Sequence, residues 1–144
     1  MKLTKPEFLD LHPCSDGRKF AADCKFNFVE IWETCPRGDW LIWLLRNTKQ
    51  IAKPQAVEIA IACAERVLPI YEKKNPADKR PRLAIEAAAN YLKTPSEANR
   101  KAYAAAYAAY AAAYAAYAAD AARATERKWQ ADKIRSLIPN PFTK

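Results

Sequence analysis

The sequence predicts an all-α protein: a helical bundle of about five to six helices with one very long Ala/Tyr-rich C-terminal helix. Three observations carry that expectation. Apolar residues recur at i, i+3, i+4 and i+7 between prolines, which is the stripe of an amphipathic helix. Only two glycines stand against ten prolines, so the glycine-dependent hairpins of sheet proteins are hard to build. Residues 102–122 hold fifteen alanines, five tyrosines and one aspartate, and alanine has the highest helix propensity of any residue. A chain of 144 residues hides roughly 70% of its extended surface on folding, enough for one core. We expect a single all-helical domain over 1–144, with a short-helix bundle at 1–95 and the long helix at 96–138.

The elements follow in order. Thr4 and Glu7 have the spacing of a capping box and open a short helix that Pro13 ends. Ser15 or Asp16 caps a second helix running to about Cys24. From Asn27, the residues Phe28, Ile31, Trp32 and Cys35 form an apolar stripe, and Pro36 resets the chain. The helix after it, WLIWLL, is apolar almost all round through Trp40, Leu41, Trp43, Leu44 and Leu45, so it is expected at the centre. The Arg37-Gly38-Asp39 triplet resembles an adhesion ligand, but between two apolar helices it reads as a linker with Asp39 as the N-cap.

Residues 54–75 form a longer helix with Pro54 in its first turn and a kink at Pro69. Val57, Ile61, Ala64 and Leu68 make one stripe, and Ile59, Cys63, Val67 and Ile70 lie beside it. The next helix has Asp78 as a cap and Leu83, Ile85, Ala87, Ala88 and Leu92 facing inward. Arg80 and Arg82 sit at its positive end, which costs about 0.3–1 kcal/mol each. An inter-helix ion pair from Arg82 to Glu30, Glu33 or Asp39 would offset that cost. Ser96 then begins the last element, in which no glycine or proline appears before Pro139. At 1.5 Å per residue it would be a rod of about 63 Å, longer than a body with a radius of gyration near ~15 Å.

Tyr103, Tyr107, Tyr110, Tyr114 and Tyr117 alternate four- and three-residue steps, the a/d spacing of a heptad seam. Three roles are open: bundle core, a self-association seam that makes a homodimer, or a recognition face for a partner. Beyond the tract, Arg123, Arg127, Lys128, Lys133 and Arg135 make the helix basic, with Trp129, Ile134, Leu137 and Ile138 packing and Phe142 tucking back.

Several functions are excluded or disfavoured. With Gly17 and Gly38 the only glycines, phosphate-cradling loops and dinucleotide fingerprints are out. One histidine, His12, and four cysteines without a CxxC pair leave no metal site, and no cofactor is expected. Cys35, Asp39 and His12 are the one nucleophile set the chain offers, and their spacing does not bring them together, so no enzyme is expected. The charged start MKLTKPEFLD differs from a secretory signal, and the tyrosines make the alanine tract unfit for a bilayer, so a cytoplasmic protein without a membrane span is expected. Net charge is +8, with eight bases and seven acids in residues 1–50 but seven and three in 101–144. That gradient admits an acidic protein surface or nucleic acid as partner.

The segments WETCPRGDWLIWLL (32–45), ACAERVLPIYE (62–72) and RPRLAIEAA (80–88), followed by a long Ala/Tyr tract, resemble the immunity proteins of bacterial polymorphic toxin loci and their alanine-rich relatives in bacteria and phages. The resemblance implies an all-helical, non-catalytic protein that neutralises a macromolecular partner: a toxin, an effector or, for a phage inhibitor, a defence component. The partner-facing residues are then Tyr103, Tyr107, Tyr110, Tyr114, Tyr117, Arg123, Arg127 and Lys128. Trp32, Asp39, Trp40, Trp43, Arg80 and Arg82 are read as structural. The alternative is a nucleic-acid binder that uses the tyrosine stripe and the basic C-terminal helix.

Overall fold

The computed structural model describes residues 1–101 and 123–143. Those residues are helical throughout their regular structure: α1 (Lys5–Asp10), α2 (Ser15–Asp23), α3 (Phe28–Thr34), α4 (Gly38–Asn47), α5 (Lys53–Lys74), α6 (Arg80–Lys93) and α7 (Arg123–Leu137). Residues 97–101 are helical as well. The all-α class therefore holds among the described residues, which carry seven named helices where about five to six were expected. The long helix over 96–138 and its five tyrosines cross 102–122, which lie outside the described residues. Two compact units divide the chain, one made of Met1–Ile51 with Ala124–Lys144, the other of Ala52–Arg123.

In the first unit the short helices are set by their caps. Glu7 Oε2 accepts from both the backbone N–H and the hydroxyl of Thr4, at 2.8 and 2.6 Å, the expected capping pair. At α2 the expectation is corrected: neither Ser15 nor Asp16 caps, because the helix starts at Ser15 and Cys14 Sγ accepts the Gly17 N–H at 3.4 Å. Asn27, from which the apolar stripe was read, is the N-cap of α3, its Oδ1 accepting the Glu30 N–H. Asp39 is also corrected. Helix α4 begins two residues earlier than that cap would place it, at Gly38 with Arg37 as N-cap, and the Asp39 carboxylate is held by the Arg37 guanidinium instead, at 2.8 and 2.5 Å.

The core of this unit joins the two ends of the chain. Phe28, Ile31, Trp32 and Cys35 are buried as their spacing requires, and so are Leu41, Leu44 and Leu45 of α4. From the C-terminal segment come Ala131, Ile134, Ile138 and Phe142. Phe142 does tuck back, its ring 6.0 Å from Phe28 and 6.2 Å from Trp32. Two contacts clamp α7 in place. Gly38 lies so close to it that a Cβ there would fall 2.5 Å from Gln130 Cβ and 2.9 Å from the Ala131 nitrogen. Arg135 donates through Nε to the Trp32 carbonyl at 2.7 Å and through Nη2 to the Cys35 carbonyl. A guanidinium thus satisfies carbonyls that the end of α3 leaves without an intrahelical partner.

The second unit contains a helical hairpin. Ala64 and Leu68 of α5 pack with Ile85 of α6, and Ile61 lies against them. Helix α5 runs through Pro69 to Lys74. At the turn the expected Asp78 cap is corrected: Lys79 is the N-cap and makes no side-chain cap bond, while Asp78, one residue before it, accepts the Arg80 N–H through Oδ1 at 3.1 Å and the Tyr71 hydroxyl through Oδ2 at 2.5 Å. The ion pair expected of Arg82 exists with a different partner. Its guanidinium binds Glu72 of α5 at 2.6 and 2.8 Å, rather than Glu30, Glu33 or Asp39. Leu83 and Ile70 are corrections too, 57% and 49% exposed. Each stands two residues from a core contact, Ile85 or Leu68, and two residues turn a helix by about 200°, to the far face. Ser96 Oγ accepts the Asn99 N–H at 3.1 Å and starts the helical residues that follow.

A candidate binding cleft

The first unit contains an apolar cleft of about 230 Å³, built from α1, α2, α3 and α4. Its walls carry Phe8, Phe20, Ile31, Leu41, Trp40 and Trp43, with Pro13, Cys14 and Gly17 on the α2 side. The expectation that α4 is buried all round is thereby modified: Leu41, Leu44 and Leu45 enter the core, while Trp40 and Trp43 are half-buried and line the cleft. Their rings meet other aromatics at the wall, Phe20 at 5.9 Å from Trp40 and Phe8 at 6.2 Å from Trp43.

Charged groups contact the lining residues. The Arg37 guanidinium stacks 4.5 Å above the Trp40 ring while bridging Asp39, a geometry that joins a cation–π contact to a bidentate ion pair. Burial pushes the Asp39 carboxyl up, but the Arg37 hydrogen bonds and charge, helped by Arg127, hold it below the usual carboxylate range. Arg18 donates to the carbonyl of Pro13, a wall residue, at 3.3 Å. Asp39 is the sole ionisable carboxylate on the lining, and it is already matched by Arg37.

Gly17 belongs to α2 and has no positive φ. A Cβ there would make only an ordinary contact, 3.4 Å from Cys14 Sγ. Neither backbone conformation nor crowding requires a glycine, although glycine in a helix costs roughly 0.5–1 kcal/mol against alanine. The missing side chain widens the cleft. Nothing in the sequence reading singled this position out, yet a glycine between a cap and an amphipathic stripe was a visible signal.

The cleft offers little chemistry. Cys14 and Cys35 line it as free thiols. Burial pushes the Cys35 thiol up, and a backbone hydrogen bond from Arg37 and the nearby Arg135 offset this only in part. His12 is exposed and is not a lining residue. Among the described residues no group of three or more His, Cys, Asp or Glu side chains could hold a metal ion, and no helix is long and apolar enough to cross a membrane.

The residues singled out in the sequence are distributed as follows. Tyr103, Tyr107, Tyr110, Tyr114 and Tyr117 lie outside the described residues. Arg123 is the first residue of α7. Arg127, half-buried, is near enough to Asp39 for its charge to act on that carboxyl. Lys128 is exposed and pairs with Asp132 at 3.0 Å, an oxygen away from the Asp132–Arg135 pair at 2.9 Å. The basic face of α7 is thus partly spent on internal pairs. Trp32 is fully buried among aromatics of the core. Arg80 and Arg82 stand in the other unit, paired with Asp78 and Glu72.

Among the described residues the chain is all-helical, and its first unit holds a cleft that is apolar and aromatic. A family model, Imm-5 like putative immunity protein, matches residues 46–100. The resemblance to immunity proteins is borne out over that segment, which takes in the end of α4, all of α5 and α6, and the motifs at 62–72 and 80–88. The tryptophan-rich motif at 32–45 and the cleft it helps to build lie before it. No curated protein and no solved structure matches the chain.

Proposed function

We propose that the chain is a non-catalytic binding protein that neutralises a protein effector by occupying its surface, in the manner of an immunity protein. The match of residues 46–100 to the immunity family is the observation that carries this reading. Tyrosine and arginine are the residues that binding hot spots favour, which supports assigning Tyr103, Tyr107, Tyr110, Tyr114 and Tyr117, with Arg123, Arg127 and Lys128, to the partner-facing side. The net charge of +8 favours an acidic partner surface.

Co-expression provides the test. The product of the gene immediately upstream of this chain's gene is induced in a bacterial host with and without the chain, and growth is followed. Rescue by the chain supports the proposal; equal killing with and without it contradicts it. The nucleic-acid alternative is decided by fluorescence anisotropy with a single-stranded oligonucleotide, where such a function requires affinity that falls steeply with salt. A homodimer through the tyrosine seam would appear in sedimentation as a dimer that Tyr110→Ala converts to monomer.

A further inference from the structure

We propose that the aromatic cleft of the first unit is the docking socket for one large apolar side chain carried on an acidic segment of the protein partner. The inference rests on the neutralisation reading above and names the chemistry of the partner's contact. Size comes first. Pockets that enclose small-molecule ligands run from about 300 to 1,000 Å³, and at about 230 Å³ this cleft is smaller. It has room for one or two side chains, the scale of the anchors that dominate protein interfaces.

The walls decide the character of the anchor. Phe8, Phe20, Trp40 and Trp43 present ring faces and edges that reward an aromatic or leucine side chain. Gly17 opens this wall at the expense of its own helix, with no packing or backbone reason to be glycine. Charge decides the flanks. Arg18 and Arg37 each contact a wall residue, the Pro13 carbonyl and the Trp40 ring, and Arg127 acts on the Asp39 carboxyl. The one carboxylate there, Asp39, is already engaged by Arg37. An excess of guanidinium around an apolar hole fits carboxylates on either side of the anchor and repels basic flanks.

The test uses the full chain and defined peptides. An acetylated hexapeptide with phenylalanine between glutamates is titrated while the indole N–H signals of Trp40 and Trp43 are followed by NMR, with Trp32 as the internal control. Saturable shifts at Trp40 and Trp43 but not Trp32 are expected. At least five-fold weaker binding is expected from peptides with alanine at the centre or lysine at the flanks, and a smaller flank preference from Arg37→Gln. Gly17→Leu should abolish the shifts while Gly17→Ala keeps the chain folded and more resistant to heat. Absence of saturation, equal binding of the lysine-flanked peptide, unchanged binding by Gly17→Leu, or free phenylacetate binding as tightly as the peptide would each overturn the socket. Co-expression separates this from the parent reading. Protection by wild type that Gly17→Leu loses supports the socket, protection by both removes the socket alone, and protection by neither removes the neutralisation reading itself.

Discussion

The two glycines of this chain have opposite physical reasons, and substitution should move stability in opposite directions. At Gly38 a methyl group would collide with the backbone of α7, so Gly38→Ala should lower stability by about 1–3 kcal/mol, the usual cost of overpacking. At Gly17 a methyl group has room, so Gly17→Ala should raise it by about 0.5–1 kcal/mol. Urea unfolding of both variants checks the pair of signs. The carboxylates give a pH dependence. Arg80 and Tyr71 hold the Asp78 carboxyl well below its ordinary value, Arg82 lowers Glu72, and Arg37 brings Asp39 down against its burial. A carboxyl depressed in the folded state contributes stability above its unfolded value, near ~4, and loses it as pH falls toward the folded value. The thermal midpoint should therefore be flat from pH 7 to 5 and fall below about pH 4, less steeply in Asp78→Asn. At this scale the sequence was partly legible: the Thr4–Glu7 capping box follows from local spacing, as do the starts of elements at Asn27 and Ser96. The Cys14 cap, the Arg37–Asp39 pair and the Arg82–Glu72 pair depend on which groups the fold brings within reach.

At the scale of elements, the scarcity of glycine raises the question of how the helices stop. Left-handed residues do it without glycine. After α2, Lys25 and Phe26 adopt φ of 51° and 56°, and their N–H groups return to the carbonyls of Ala22 and Ala21 at 2.8 and 2.7 Å. After α4, Lys49 has φ 56°, with Lys49 and Gln50 donating back to Arg46 and Leu45. Both are Schellman closures in a position that usually holds glycine. Because an L-residue there is disfavoured by roughly 1–2 kcal/mol, Lys49→Gly should raise the unfolding free energy by up to about 1 kcal/mol; a decrease would show that the lysine side chain supplies more than its backbone costs. Helical periodicity identified the elements and most of their buried stripes. It could not tell which of two apolar stripes meets a neighbour, which is why Leu83 and Ile70 were expected inside and are exposed. The tryptophans of α4 show the same limit: spacing marks Trp40 and Trp43 as apolar, whereas only packing leaves a cleft beside them.

For the whole molecule, the first unit is closed by segments from both ends of the chain, a pairing that no sequence period announces. Phe142 holds it on rings from α3, so Phe142→Ala should cost about 3 kcal/mol or more. Hydrogen exchange should then accelerate in α3 and α7 while the Ala64, Leu68 and Ile85 cluster keeps its protection; uniform acceleration would mean the two units unfold as one. The family segment at 46–100 and the cleft at the tryptophan-rich motif belong to different stretches of the chain; the proposed function rests on the first and the docking socket on the second. Its central claim is inhibition by occupancy. The most direct measurement is titration of purified effector activity with purified chain at effector concentrations far above the dissociation constant. The account expects activity to fall linearly to zero at a fixed, near-stoichiometric ratio and to stay constant with time thereafter. Complete inactivation by a small substoichiometric amount, growing with incubation, would contradict it, as would full activity in excess chain.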